Sequence, residues 1–168
     1  MKNPNLLVKA EICKSKPKVT VLGDGVLLPE IKDLATKLNF SFEGNVSNVF
    51  EYIKRSKVLL LTSNSEGFPN VILEGMSYGL PIIATNCNSG PLEILNDNCS
   101  VDIIYGEYYV AKYGILVNVN DDLALSKAID YLLSNQQLYN KLSLASRNRS
   151  QDYDVEIIYE KYKNMLLN

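Results

Sequence analysis

Two glutamates eight positions apart, Glu66 and Glu74, bracket the passage from an apolar run into a helix. An ionised carboxylate only accepts hydrogen bonds, so two of them at one edge are suited to holding hydroxyl groups. Between them, Pro69 fits a first helical position, because its fixed backbone angle suits a helix start and its missing N–H would go unpaired there. The N–H groups of Asn70, Val71 and Ile72 would then be free, and with the positive end of the helix dipole they suit a phosphate. Phosphate donors beside hydroxyl acceptors point to a sugar nucleotide as the ligand.

The elements that must position these residues follow from the chain on either side. The run over 58–62 (Val-Leu-Leu-Leu-Thr) reads as a short parallel strand buried on both faces, and the helix should cover 69–78 and stop at Gly79. Open α/β sheets bind ligands at the carboxyl ends of their strands, which is where Glu66 and the helix start fall.

Upstream, Leu6, Leu7, Ala10 and Cys13 predict a helix over 5–15, and 18–22 reads as a strand closed by Gly23-Asp24-Gly25. A helix over 29–39 puts Ile31, Leu34, Ala35 and Leu38 on one face, and a strand follows over 40–44. Ser47 or Asn48 is placed to cap a helix over 49–56.

Downstream come a strand over 80–85, a polar loop ending at Gly90, and a short helix over 91–95 on which Glu93 should be solvated. A tyrosine-rich excursion with Tyr105, Tyr108 and Tyr109 precedes a strand over 114–117; packing against the sheet is the commoner role for such rings, stacking on a sugar the rarer one. Asp121 or Asp122 should cap a helix bearing Leu123, Leu125, Ala128, Ile129, Leu132 and Leu133, and a second helix should follow over 136–149. In the last segment Ile158, Tyr162 and Met165 recur at helical spacing, for which core packing is the simple reading. Strands alternating with helices in this way imply an α/β fold with a Rossmann-like, doubly wound parallel sheet.

At 168 residues the chain suffices for one α/β domain of about 100–200 residues. Its 46% hydrophobic and 21% charged residues exclude a disordered chain, and no apolar run approaches the roughly 20 residues of a membrane-spanning helix. A net charge of −2 with both signs interspersed argues against a nucleic-acid partner. With no histidine, imidazole bases and catalytic triads are excluded and zinc is disfavoured; Cys13, Cys87 and Cys99 read as reduced thiols, consistent with a cytoplasmic location.

The run 66–74 (Glu-Gly-Phe-Pro-Asn-Val-Ile-Leu-Glu), followed by Gly79-Leu80-Pro81-Ile82-Ile83-Ala84-Thr85 and Ser89-Gly90-Pro91-Leu92-Glu93-Ile94-Leu95, resembles the donor-binding half of the retaining glycosyltransferases of family 4. The spacing of its glutamates matches that family's E-x7-E motif. The resemblance implies the C-terminal half of a GT-B fold spanning 1–168, with 150–168 as the terminal helix, and an acceptor-binding N-terminal domain outside this chain. It also implies that the first strand of the sheet is missing, together with the arginine and lysine that neutralise a diphosphate. The chain is therefore expected to be a truncated, split or excerpted piece of a longer enzyme. Arg55, Arg147 and Arg149 sit in other helices and are not expected to substitute.

Carried over by the same resemblance, Glu74 would bind the ribose hydroxyls and Glu66 would hold hydroxyls of the donor sugar as a substrate-orienting residue. Gly67, Phe68, Pro69, Asn70 and Val71 would line the sugar and diphosphate pocket, Val46 would pass near the base, and Ser89 and Gly90 would help enclose the donor. The implied activity is transfer of a hexose or N-acetylhexosamine, with retention and without metal or other cofactor, from an NDP-sugar, preferably a UDP-sugar, to a glycan or lipid-linked acceptor. The intact enzyme could sit peripherally at the inner membrane face. Two alternatives stay open: a non-catalytic nucleotide-sugar-binding fragment needing a separate N-terminal half, and a GT-B sugar-nucleotide epimerase, which the absence of histidine disfavours.

Overall fold

The computed structural model describes residues 2–10 and 15–167. In chain order the elements are α1 (Asn5–Lys9), β1 (Val19–Leu22), α2 (Leu28–Leu34), β2 (Phe40–Gly44), α3 (Val49–Arg55), β3 (Leu59–Leu61) and α4 (Asn70–Ser77). Then follow β4 (Ile82–Thr85), α5 (Pro91–Asn96), β5 (Tyr108–Val110), β6 (Ile115–Val117), α6 (Asp122–Ser134), α7 (Gln136–Gln151) and α8 (Val155–Leu167). Among these residues no helix is long and apolar enough to cross a membrane.

The expected α/β fold with parallel strands is present, but its strands fall into two sheets. One pairs β1 with β2 in parallel; the other has the order β3-β4-β6-β5, with β5 antiparallel to β6. The antiparallel strand β5 arises inside the stretch read from sequence as irregular. No ladder joins β1 to β3 among the described residues, so the two-stranded and the four-stranded sheet stand apart between these two strands. A cleft of about 180 Å³ lies there, lined among others by Val19, Phe40, Leu60, Leu7, Ala10 and Ile129.

The larger sheet is covered on both faces, and period-two alternation sorts its residues. Ile83, Ile115 and Val117 face Leu6 of α1 and Leu125, Ala128 and Leu132 of α6. Ile82, Ala84 and Leu116 face Ile53 of α3, Ile72 and Met76 of α4, and Ile94 and Leu95 of α5. Strands with both faces buried are apolar along nearly their whole length, which accounts for the runs in β3, β4 and β6; the buried Thr85 at the end of β4 spends its hydroxyl on the Ser63 carbonyl.

Several element ends differ from the sequence reading for local reasons. Helix α1 closes at Lys9 with Ala10 in a tighter turn; Cys13 lies outside the described residues. Helix α2 ends at Leu34 rather than reaching 39, and Leu34, expected on the buried face, is 56% exposed while Ile31 and Ala35 are buried. Asn48 occupies the N-cap of α3, but its side chain makes no capping bond. Asp121 does cap α6: its carboxylate accepts from the N–H of Ala124 and also from that of Gly106, tying the excursion to the helix. Leu123 at that helix start is 41% exposed and lies over Gly106 instead of in the core.

Core packing, the simple reading for the last segment, does not occur. Helix α8 has no buried residue; Tyr162, Met165 and Leu166 are all exposed. It is anchored at its start, where Arg149 reaches the end of α5. That guanidinium donates to the carbonyls of Glu93 and Ile94, pairs with Asp97 at 2.9 Å and Asp152 at 3.1 Å, and lies over the rings of Tyr113 and Tyr153.

Candidate functional site

Strand β3 runs straight into the Glu66 loop, and two packing constraints fix where that loop and α4 go. Gly75 lets α4 lie on the sheet: a β-carbon there would stand 2.8 Å from Leu59 Cδ1. At the far end Gly79 takes φ +73°, its N–H donating to Met76, and the helix stops where the sequence placed the stop. The start differs by one residue, since Pro69 is the N-cap and α4 begins at Asn70. In consequence the N–H of Ile72, read from sequence as free, donates to the Pro69 carbonyl at 2.9 Å. Among the described residues, the N–H groups of Asn70 and Val71 keep no partner, and they are the pair left to meet an anion.

Glu66 is half-buried and held from two sides. The Ser63 hydroxyl donates to its Oε1 at 2.5 Å, and the Ser89 hydroxyl donates to its backbone carbonyl at 2.6 Å. Ser63 is completely buried, and its own carbonyl accepts from the Thr85 hydroxyl at the end of β4 at 2.5 Å. The 86–90 loop presses directly on the 66–69 loop: a β-carbon at Gly90, whose φ is +71°, would lie 2.5 Å from Pro69 Cδ and 2.6 Å from the Gly67 carbonyl oxygen. Ser89 also adopts a left-handed conformation, φ +62°. Burial pushes the Cys87 thiol above its ordinary range, opposed by a hydrogen bond with Thr85 and reinforced by the charge of Glu66.

The structure thus brings Glu66, Gly67, Pro69, Asn70, Val71, Ser89 and Gly90 to one edge, the carboxyl ends of β3 and β4. Glu74 stands one turn along α4 from Asn70, half-buried on the side shared with Val71. Phe68 is 43% exposed and its ring meets Tyr153 at 5.6 Å, so it links this edge to the segment between α7 and α8. Val46 belongs to the other sheet, in the loop after β2, and among the described residues no hydrogen bond joins it to the Glu66 loop. Of the tyrosines, Tyr108 stacks on Tyr131 at 5.5 Å, the packing role, while Tyr105 is exposed.

One basic residue at this edge was missed by the sequence reading, which found no cation for a diphosphate. Lys2 forms an antiparallel bridge with Ser63, and Asn3 clamps the same strand end: its N–H donates to the Thr62 carbonyl, while its carbonyl accepts from the Thr62 hydroxyl. The Asn3 side chain spans from Asn64 to Asn120. An exposed lysine is therefore tethered beside the Glu66 loop. The signal in the sequence was a lysine just ahead of the Asn-Pro that opens α1.

Among the described residues no three histidine, cysteine, aspartate or glutamate side chains gather closely enough to hold a metal ion. A groove of about 470 Å³ lined by Glu93, Asp97, Arg149, Tyr153, Lys161 and Tyr162 lies between α5 and α8, and its Tyr153 is the ring that meets Phe68 of the Glu66 edge.

A glycosyltransferase of Haemophilus influenzae that is itself uncharacterized is 31% identical over 87% of this chain and 39% of its own length. A Campylobacter jejuni enzyme named as an α-1,4-N-acetyl-D-galactosaminyltransferase acting on an undecaprenol-diphosphate-linked glycan is 26% identical over 98% of this chain and 44% of its own. Among solved structures, Anabaena Alr3699/HepE in complex with UDP superposes with a TM-score of 0.81 at 20% identity, over 98% of this chain and 45% of that one. The chain spans about two fifths of the length of the curated relatives it matches. The family described as glycosyl transferases group 1 matches residues 1–149, and with its fold that of the C-terminal domain of GT-B glycosyltransferases, the chain belongs to that family.

Proposed function

We propose that this chain is the donor-binding domain of a retaining, family 4 hexosyl- or N-acetylhexosaminyltransferase, and that the rim built by Glu66, Asn70, Val71 and Glu74 holds a UDP-sugar. The observation that carries the reading is the unpartnered N–H pair of Asn70 and Val71 set between two carboxylates at the carboxyl edge of β3. The N–H pair, with Lys2 alongside, meets the diphosphate; Glu74 accepts from the ribose hydroxyls; Glu66 accepts from the sugar. Gly67, Phe68 and Pro69 form the wall, and Ser89 with Gly90 closes it from the neighbouring loop. Val46 would reach the base only across the division between the two sheets.

Positive charge facing the leaving diphosphate is the chemistry such a domain contributes, since groups aimed at developing charge supply most of the acceleration in group transfer. No metal is required in this reading, and turnover unaffected by a chelator is its corollary. The acceptor, a glycan or lipid-linked glycan, would be bound by protein outside this chain. A second reading, binding without turnover by the isolated chain, is favoured by its covering only about two fifths of its relatives.

Calorimetric titration with UDP and UDP-glucose tests the site. Wild-type chain should bind UDP, and Glu74→Ala should weaken it about tenfold through loss of hydrogen bonds to a charged acceptor. Equal affinity in the variant, or no binding by wild type, would remove Glu74 and the rim from the account. Product analysis after adding a separately expressed N-terminal half then separates a split transferase from a binding fragment and from an epimerase.

A further inference from the structure

We propose that Ser63 is a positioning residue for the donor sugar, holding the Glu66 carboxylate in the single orientation in which its second oxygen faces the ligand; this rests on the reading of Glu66 just given. Glu66 lies in a loop, where a glutamate side chain would ordinarily sample several rotamers, and ordering a flexible side chain on binding costs affinity. Here that ordering is already in place. The Ser63 hydroxyl donates to Oε1, so one carboxylate oxygen is used by the protein and Oε2 is the one left for a sugar hydroxyl.

Ser63 is itself immobile, and for a visible reason. It is completely buried, its carbonyl is held by the Thr85 hydroxyl across the β3–β4 pair, and its backbone is bridged to Lys2. The Glu66 backbone is fixed independently by the Ser89 hydroxyl. The carboxylate is thus tied at its head by β3 and at its root by the loop after β4, and the sheet register sets the distance between the two ties. A buried hydroxyl whose acceptor is a partly exposed carboxylate on the binding rim does more than satisfy itself, since an apolar residue of the same size would fill the space equally well.

The consequence is selective. Losing the Ser63 hydroxyl should cost affinity for the sugar but not for the nucleotide, because Asn70, Val71 and Glu74 do not depend on it. In titrations of the full chain with UDP, UDP-glucose and UDP-N-acetylglucosamine, Ser63→Ala should leave UDP affinity unchanged. Binding of the tighter of the two UDP-sugars should weaken about tenfold, the scale of one hydrogen bond to a charged group. Ser63→Cys, which keeps a weak donor on a slightly larger side chain, should recover part of the loss. UDP-sugar affinity unchanged in Ser63→Ala overturns the proposal, as does equal loss of UDP and UDP-sugar in both variants, which would make Ser63 purely structural. Glu66→Ala separates the levels: if it weakens UDP-sugar selectively and Ser63→Ala does not, the positioning role alone is wrong. If Glu66→Ala leaves UDP-sugar binding intact, the reading of Glu66 fails and this inference falls with it.

Discussion

Every residue of β4 and of β6 is buried, whereas β1 and β2 contain no buried residue, although all four strands lie in parallel pairs. The difference lies in what covers them. The larger sheet is sandwiched between α1 and α6 on one face and α3, α4 and α5 on the other, so the side chains of its inner strands β4 and β6 lose their water completely. The smaller sheet is a two-stranded ribbon, and a pair of strands has little independent stability in water. It is held to the rest of the domain mainly through α2 against α1. The candidate site belongs to the well-covered sheet: apart from Lys2, which is bridged to Ser63 just after β3, every residue proposed to touch phosphate or sugar hangs from β3, β4 or α4. Only the contact assigned to the base, Val46, comes from the ribbon.

This contrast makes the molecule breakable in a graded way. The largest effect is expected at Leu116, fully buried in β6, an inner strand of the larger sheet. Leu116→Ala should remove about 3 kcal/mol of stability in urea denaturation, a typical cost for a leucine deleted from a close-packed core. Gly90→Ala comes next. Its new β-carbon must displace Pro69 and the Gly67 carbonyl from a left-handed residue, which should cost about 2 kcal/mol and weaken UDP-sugar binding while both sheets stay folded. Thermal melts and titration of the same sample check both parts.

A smaller effect is expected from Val21→Ala in the ribbon, where the side chain is only half-buried: about 1 kcal/mol or less, with UDP affinity unchanged. A loss there equal to that of Leu116→Ala would mean that the two sheets unfold as one unit and would dissolve the contrast.

The smallest effect concerns pH. A hydrogen bond from Lys112, with Arg149 nearby, holds the Asp97 carboxyl below its usual range, partly opposed by desolvation. A depressed folded-state value stabilises above the unfolded-state range and is lost as pH falls through the folded-state value. Asp97→Asn should therefore lower stability slightly near neutral pH and flatten the acid side of the stability profile. A profile identical to wild type would show that the exposed pair contributes nothing.

Much of the larger sheet was legible in the sequence because its signals are local. An unbroken apolar run, a proline at a helix start and a glycine after its last turn each act through neighbouring backbone, and β3 and the Gly79 stop fall where those residues put them, while α4 begins one residue beyond Pro69. Asp121 was equally readable as a cap, though not its second bond to Gly106, which lies 15 residues away in the chain. What sequence hid was set by distant partners. Leu34 and Leu123 have the right spacing for a buried face, but no element comes to cover them. The Ile158, Tyr162 and Met165 stripe likewise has helical spacing, but it only lines an open groove with Glu93, Asp97 and Arg149 and none of the three is buried. Arg149 looked like one more helical cation, and only the fold shows that it collects the α5 carbonyls. Lys2 carries no motif of its own, and a bridge to Ser63, 61 positions away in the sequence, makes it part of the rim.

The central claim, that the ligand edge is the carboxyl end of β3 and β4 rather than the ribbon, is tested most directly by amide NMR of the full chain during titration with UDP. The account expects the largest shifts at Gly67, Asn70, Val71 and Glu74, with lesser ones at Lys2 and Ser89, and none at Val19–Leu22 of β1. Shifts confined to β1, β2 and the Gly23–Gly25 turn, with the amides of Asn70 and Val71 unmoved, would contradict it.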